Sequence, residues 1–172
     1  TKIDGVCIVV DHQLAVDEFL FLLCRHQTAG RGQRGNVWNS LAGENLLLTL
    51  VVRPGQSLQV PSQFLLSQAV AVAIHSAMTR YGIDTRLKWP NDIYCHGKKI
   101  CGTLIENTLM GKFIGRSVIG NGINVNQTDF PDGLAAPPTS MCIQSGKECS
   151  THEVIRHVVE RFALYYGEIM DG

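Results

Sequence analysis

From Thr85 to Asn126 the chain alternates between strand-forming and turn-forming residues at intervals too short for a helix to intervene. Residues 85–89 read as a strand cut off by Pro90. Residues 93–95, 99–106 and 113–121 follow as further strands, with His96-Gly97 and Met110-Gly111 at the breaks, where glycine supplies the positive φ that hairpin turns need. Parallel neighbours require a crossover of roughly a dozen residues or more, and these gaps do not contain one. Consecutive antiparallel strands are therefore the expected centre of the fold. Elsewhere, residues 6–10, 19–24 and 45–52 have the continuous apolar character of buried strands, the last ending at Pro54-Gly55. Residues 62–81, rich in Ala, Leu and Gln and apolar around most of the circumference, predict a buried helix stopped by Gly82. Residues 127–138 carry three prolines and few large apolar side chains, so a surface loop is expected. Ser150 and Glu153 stand at capping-box spacing before a stripe of Val154, Ile155, Val158, Val159 and Phe162, which predicts a closing amphipathic helix. The fold class is α/β (α+β): a single domain with a mixed, largely antiparallel sheet packed by helices.

Such a domain needs an apolar core, and 172 residues at 45% hydrophobic supply one. Fifteen basic against fifteen acidic residues give zero formal charge, so no global field steers the chain to nucleic acid or to a membrane surface. Six cysteines, with no C-x-x-C pair and mostly within apolar runs, read as reduced core residues of a cytoplasmic protein. The histidines lack metal-ligand spacing, and His75 falls in the helical run, where packing is its expected role. No apolar run is long enough to span a bilayer.

Chemistry concentrates in residues 27–38, QTAGRGQRGNVW. Gly30, Gly32 and Gly35 leave main-chain N–H groups free to close around an oxyanion. Arg31 and Arg34 offer forks matched to carboxylate or phosphate, and Trp38 offers a flat face for a base or another ring. A solvated turn is the plain alternative. Residues 30–35 also satisfy G-x-G-x-x-G, but Arg25 to Ala29 separate the apolar run from the first glycine and no helical period follows Gly35, so the dinucleotide-binding context is missing.

Two further segments add to this. In KWPND, residues 88–92, Pro90 holds Trp89 extended and presents Lys88 at the edge of a rigid element. A lysine in so apolar a strand needs an anion, either a ligand or a carboxylate such as Asp92 or Glu106. Asn91 serves equally well as turn former or ligand contact. In IGNGINVN, residues 119–126, Gly120 and Gly122 within a strand pattern imply close approach of a ligand or another backbone. Asn124 carries both donor and acceptor, which suits an adenine edge or a main-chain cap.

Taken in order, QTAGRGQRGNVW, Gly43-Glu44-Asn45-Leu46, LKWPNDIY, GKKICGTLIE, VIGNGINVN and PTSM resemble the catalytic domain of biotin protein ligase, over more than half the chain. The resemblance implies a fold similar to the class II aminoacyl-tRNA synthetases. It implies activation of biotin by ATP, with Mg²⁺, to biotinyl-AMP, and transfer to a lysine of a biotin carboxyl carrier protein. Gln27, Gly30, Arg31, Gly32, Gln33, Lys88, Gly102 and Gly120 fall at biotin-binding positions, and Arg34, Trp38 and Asn124 at ATP or adenylate positions. Lys88 and Arg31 would be catalytic. No metal ligand is assigned.

The chain departs from the family pattern in three places. Residues 11–16, DHQLAV, supply no Ser/Thr-Thr-Asn pocket segment, and omission of residues there is the expected reading. Gln33 stands where the family has a second arginine-type residue, which passes phosphate contact to Arg34. Residues 1–172 are expected to form one catalytic domain without a DNA-binding helix-turn-helix, the small C-terminal β domain being absent or truncated. The family includes monomers and dimers, so a homodimer is allowed. A lipoate-type protein ligase and a catalytically silent adenylate-binding homologue are the alternative readings.

Overall fold

The computed structural model describes residues 6–7 and 19–172, so residues 11–16 lie outside the described residues. Strands β1 (Val6–Cys7), β2 (Phe19–Cys24), β3 (Gly30–Arg31), β4 (Val37–Trp38) and β5 (Leu46–Val52) precede helix α1 (Phe64–Thr79). Strands β6 (Arg86–Lys88), β7 (Asp92–Cys95), β8 (Lys98–Met110) and β9 (Phe113–Ile123) follow, and helices α2 (Met141–Ser145) and α3 (Thr151–Asp171) close the chain.

Among the described residues seven strands form one sheet in the order β1-β2-β5-β9-β8-β7-β6, every pair antiparallel. The sheet is largely antiparallel as expected, and the parallel element described is a single bridge between Lys99 and Pro138. The hairpin signals held. His96 and Gly97 both take positive φ, 48° and 77°, as a type I′ turn demands, and Gly111 takes 61° between β8 and β9. Both long strands extend beyond their expected ends, since β8 and β9 pair from Cys101↔Ile123 out to Met110↔Phe113.

Strand β5, LLLTLVV, shows why its sequence is apolar throughout. Leu46, Leu48, Leu50 and Val52 enter the core, while Leu47, Thr49 and Val51 line a cleft on the other face. The core side is covered by α1, through Leu66, Val70, Ala73, Ile74 and Ala77, and by α3, through Val154, Val158, Phe162 and Tyr166. Helix α1 keeps its expected span to within two residues at each end, because residues 60–62 form a separate short turn and Gly82, at φ 73°, follows the helix. At the start of α3 the Ser150 hydroxyl accepts from Glu153 N, the first half of a capping box. The Glu153 carboxylate accepts instead from Tyr81 Oη at 3.3 Å, tying α3 to the end of α1.

Residues 127–138 form the irregular loop expected, but it does not simply cross the surface. Gln127 is buried and its Oε1 accepts from Asn45 Nδ2, while Pro138 bridges Lys99. Cys95, Cys101, Cys142 and Cys149 are free thiols, as the reduced reading expects of them. His75 is half-buried with Nδ1 2.6 Å from Thr85 Oγ1, a structural partner.

Candidate active site

The face of the sheet turned away from the helices forms a cleft of about 340 Å³. Its floor follows from strand register. Lys88 pairs with Asp92, Asp92 with Gly102, Gly102 with Gly122, Gly122 with Leu47 and Leu47 with Cys24, so one transverse row crosses six strands. Directly paired residues share a face, and the two adjacent glycines in the middle of this row make a floor without side chains.

Residues 27–38 roof that floor. They fold as a small ribbon in which Gly30 pairs with Trp38 and Arg31 with Val37, closed by a short turn over Gln33–Gly35. A Cβ on Gly30 would stand 2.3 Å from the Trp38 carbonyl, so glycine is required for the ribbon to close. The ribbon is not the open nest expected, because Gly32 N already donates to Asn36 O at 2.7 Å and Asn36 N to Gln33 O at 3.1 Å. Two of its amides are therefore engaged within the ribbon itself. Gln27, Arg31, Gly32, Gln33 and Trp38 all line the cleft, and Gly30 acts from behind by shaping the ribbon. Arg34 lies within the turn, and its side chain is outside the described residues.

Trp38 lies directly against the glycine floor. A Cβ on Gly122 would come within 2.2 Å of the indole and one on Gly102 within 3.0 Å, and the Trp38 Nε1 is buried without an acceptor among the described residues. Gly102 and Gly120 line the cleft as expected, and Gly122, read from the sequence as a point of close approach, does so too.

Cations are distributed differently from the sequence expectation. Arg31 reaches from the roof to Glu106, Nη2 to Oε2 3.0 Å, with both side chains about half exposed. Lys99 Nζ stands 2.8 Å from Asp92 Oδ1 and 5.8 Å from the centroid of the Trp38 ring. Arg31, Glu106, Lys99 and Asp92 all line the cleft. Lys88 does not. Its strand is exposed at the sheet edge, and its amine lies 3.4 Å from Tyr94 Oη and 4.7 Å from the Tyr94 ring centroid. Of the two kinds of partner expected for Lys88, the carboxylates are excluded, because Asp92 and Glu106 are engaged by Lys99 and Arg31, and the exposed edge strand leaves the amine open to a ligand anion.

Sequence periodicity misses Lys99 for a definable reason. Alternation puts Lys98, Ile100 and Gly102 on one face and Lys99 on the other. Strand β7, however, pairs Ile93 with Cys101 and Tyr94 with Lys99, leaving Ile100 as an extra residue. This bulge returns Lys99 to the face of Asp92 and Gly102. A lysine pair ahead of a buried Ile-Cys-Gly run was the available signal, but not its side.

Asn91 splices the loop after Pro90 onto β8, its Nδ2 donating to Thr103 O and its carbonyl accepting from Thr103 N at 2.9 Å. It also lines the cleft, so both of its expected roles stay open. Asn124 follows Gly120 and Gly122 at the two-residue spacing of the floor, although it is not part of the cleft lining. It is 4% exposed, donates from Nδ2 to Thr139 O at 2.9 Å, and keeps Oδ1 buried without a partner among the described residues.

The arrangement suits anionic substrates. Two cations, each steadied by a carboxylate, face a floor shaped for flat groups, under a roof attached as a separate ribbon. Among the described residues there is no group of three or more His, Cys, Asp or Glu side chains able to cage a metal ion.

A model of the biotin/lipoate A/B protein ligase family matches residues 13–124. The chain is 38% identical over 164 residues to the bifunctional ligase/repressor BirA of Bacillus spizizenii, covering 92% of this chain and 50% of that protein. It is 34% identical over 157 residues to a biotin–[acetyl-CoA-carboxylase] ligase of Paracoccus denitrificans, covering 87% of this chain and 63% of that one. Among solved structures, the biotin protein ligase of Aquifex aeolicus in complex with biotin and ATP superposes with a TM-score of 0.76 at 27% identity, over 88% of this chain and 62% of that chain. The chain thus spans about half the length of the first of these curated relatives.

Proposed function

Because this chain belongs to the biotin/lipoate A/B protein ligase family, we propose that it is the catalytic domain of a biotin protein ligase, which joins biotin to ATP and passes it to a lysine of a biotin carboxyl carrier protein. The observation that carries this reading is the pair of carboxylate-held cations that line one glycine-floored cleft, Arg31 from the ribbon and Lys99 from the sheet.

In the first step a carboxylate oxygen of biotin attacks the α-phosphorus of ATP. An O–P bond forms, the bond to the β-phosphate oxygen breaks, and pyrophosphate leaves. Two anions must approach each other, so the barrier is largely electrostatic. Lys99 and Arg31 offset that repulsion, exchanging contact with Asp92 and Glu106 for contact with substrate oxygens. Lys88, at the outer end of the transverse row, faces the leaving polyphosphate, with Arg34 as a further phosphate contact from the ribbon turn. Gln27, Gly32 and Gln33 close over biotin, and Gly102 and Gly120 allow it to lie against the sheet. Trp38 and Asn124 contact the adenine. Magnesium reaches such sites mainly on substrate phosphates, with one or two carboxylates, and Asp92 and Glu106 are the carboxylates at hand. When bound it supplies further charge neutralisation at the phosphates.

In the second step the neutral amine of the carrier lysine attacks the acyl carbon of biotinyl-AMP. A C–N bond forms, the C–O bond to AMP breaks, and the amine loses a proton. The ribbon keeps water from the mixed anhydride until the carrier arrives. The cytoplasm is the proposed setting, consistent with free thiols, and no described helix is long and apolar enough to cross a membrane.

The test is exchange of labelled pyrophosphate into ATP, run with biotin and, in parallel, with lipoate. Exchange with biotin alone is the expected result. Exchange with lipoate alone would move the protein to the lipoate ligases, and exchange with neither would make it a binding homologue.

A further inference from the structure

The side chains that face the cleft change along the strands in a regular way. The transverse row through Gly102 and Gly122 carries the paired Asp92 and Lys99. Two residues along each strand, a second row pairs Leu104 with Gly120, Gly120 with Thr49 and Thr49 with Leu22. Two residues further, a third row pairs Glu106 with Val118 and Val118 with Val51. Both rows belong to the cleft lining. Four residues of strand separate the first row from the third, roughly 13 Å at the rise of a β-strand. The cleft thus runs from a cationic end, through an apolar middle that contains Thr49, to a carboxylate.

Thr49 is the polar residue of β5, whose sequence is LLLTLVV. It lines the cleft, and its hydroxyl makes no hydrogen bond to another described residue. Its cross-strand neighbour Gly120 is bare for a different reason from Gly122. The Trp38 indole fills the space over Gly122, whereas a Cβ on Gly120 would meet nothing nearer than the Leu104 carbonyl oxygen at 3.8 Å, an ordinary contact. Packing among the described residues therefore does not demand a glycine at position 120, and the space over it lies open beside the Thr49 hydroxyl. Apolar walls around a convergent polar group are the usual makeup of a small-molecule site.

We propose that Thr49 is a specificity-determining residue: over Gly120 its hydroxyl hydrogen-bonds the far end of the acid, so the cleft prefers a chain that ends in a neutral ring bearing N–H and C=O groups to one that ends in an alkyl group or a disulfide ring. This rests on the ligase reading given above and deepens it by naming what selects the acid. With the carboxylate at Lys99 in the first row, an aliphatic chain lying along the strands brings its far end to the second and third rows. There Leu22, Leu104, Val51 and Val118 take apolar surface, and the hydroxyl can both donate and accept. Glu106, once Arg31 turns to substrate oxygens, offers a further acceptor to an N–H group. An apolar end would cover the hydroxyl and the carboxylate without partnering either, which is how a site built to hydrogen-bond rejects a ligand that cannot.

Calorimetric titration of wild type, Thr49→Val and Thr49→Ser with biotin, lipoate and octanoate tests the inference. Lipoate and octanoate share the carboxylate and the aliphatic chain but lack N–H and C=O groups at the far end. Wild type is expected to bind biotin at least about tenfold more tightly than either, a modest share of the discrimination such polar sites reach. Thr49→Val removes the hydroxyl with little change of shape and is expected to weaken biotin about fivefold, the scale of one hydrogen bond, while octanoate binds as well as before or better. Thr49→Ser is expected to restore biotin affinity. Thr49→Ala carries the same comparison if the valine variant does not melt cooperatively. An unchanged ratio of biotin to octanoate affinity in the folded variant overturns the inference. So does a parallel loss of both acids, a serine variant as weak as the valine one, or a wild type that binds the three acids alike or binds none. Biotin-dependent pyrophosphate exchange by wild type together with an unchanged ratio would keep the ligase reading and remove this inference. A hydroxyl-dependent preference for biotin without exchange would do the reverse.

Discussion

Lys88 and Lys99 carry the same charge two strands apart, and their surroundings assign them different work. Lys99 is 26% exposed and held by Asp92, so its amine is aimed before any substrate arrives, whereas Lys88 rests on Tyr94 at an exposed edge. Preorganisation is what makes a charge effective in a transition state, because the cost of ordering it has already been met. Lys99→Ala is therefore expected to slow biotin-dependent pyrophosphate exchange by about a hundredfold, the scale of losing one fixed electrostatic donor. Lys88→Ala is expected to raise the KM for ATP with a smaller loss of kcat. Steady-state exchange kinetics on both variants check this, and near-normal turnover by the Lys99 variant would take that residue out of the mechanism. Gly122 makes a second residue-level case. Because its added Cβ would fall 2.2 Å from the Trp38 ring, Gly122→Ala must drive the indole off the floor. Trp89 is already 75% exposed, so a red shift of tryptophan emission in that variant would report Trp38. Unshifted emission with normal ATP binding would show that the floor does not need to be bare. The glycines in IGNGINVN signalled close approach, but only the register revealed that an indole is among the groups approaching.

At the scale of elements, the packing of α1 against α3 joins a buried stripe to a few polar contacts. Ser76 Oγ lies 3.0 Å from His157 Nε2 across that contact. Burial lowers the pKa of His157 from its ordinary 6.5, and the neighbouring Arg80 and Arg161 lower it further, against an opposing pull from Glu160. Neutral His157 is thus favoured in the folded state. The unfolded chain binds the proton more readily, so the stability from this group is present above about pH 6.5 and is lost as pH falls below it. Replacing His157 with Gln is expected to flatten the decline in stability between roughly pH 7.5 and 5.5, measured as urea midpoints. A variant with the same decline as wild type would place the titration elsewhere. The elements themselves were largely legible. The β8–β9 hairpin follows from Gly111, and the start of α3 from Ser150, because turn and cap chemistry act over a few residues. The bulge at Ile100 was not legible, because an extra residue in a strand is defined by its partner's register and not by its own side chains.

Across the described residues, the sheet separates a helix-covered core from the cleft. The arrangement is the class II aminoacyl-tRNA synthetase-like fold shared by biotin protein ligases. Cys101 sits at that divide, fully buried, where burial pushes its thiol up to about 12. A thiol so rarely ionised is a poor nucleophile. Alkylation of the native protein is expected to spare Cys101 while reaching the less buried Cys142, and Cys101 is expected to react only at the rate of global unfolding, read by mass spectrometry over a urea series. Early labelling of Cys101 would mean that the sheet opens locally. The sequence by itself determined the antiparallel centre of the sheet, both long helices and the order of the motifs, since periodicity, turn residues and caps are written in neighbouring positions. It also named Gln27, Arg31, Gly32, Gln33, Trp38, Gly102 and Gly120, all of which line the cleft. Tertiary structure alone decided which lysine faces the cleft, that Asp92 and Glu106 engage Lys99 and Arg31, and that Gly102 and Gly122 form one floor. Those facts depend on strand register and on contacts between residues far apart in the chain, and neither is fixed until the sheet has formed.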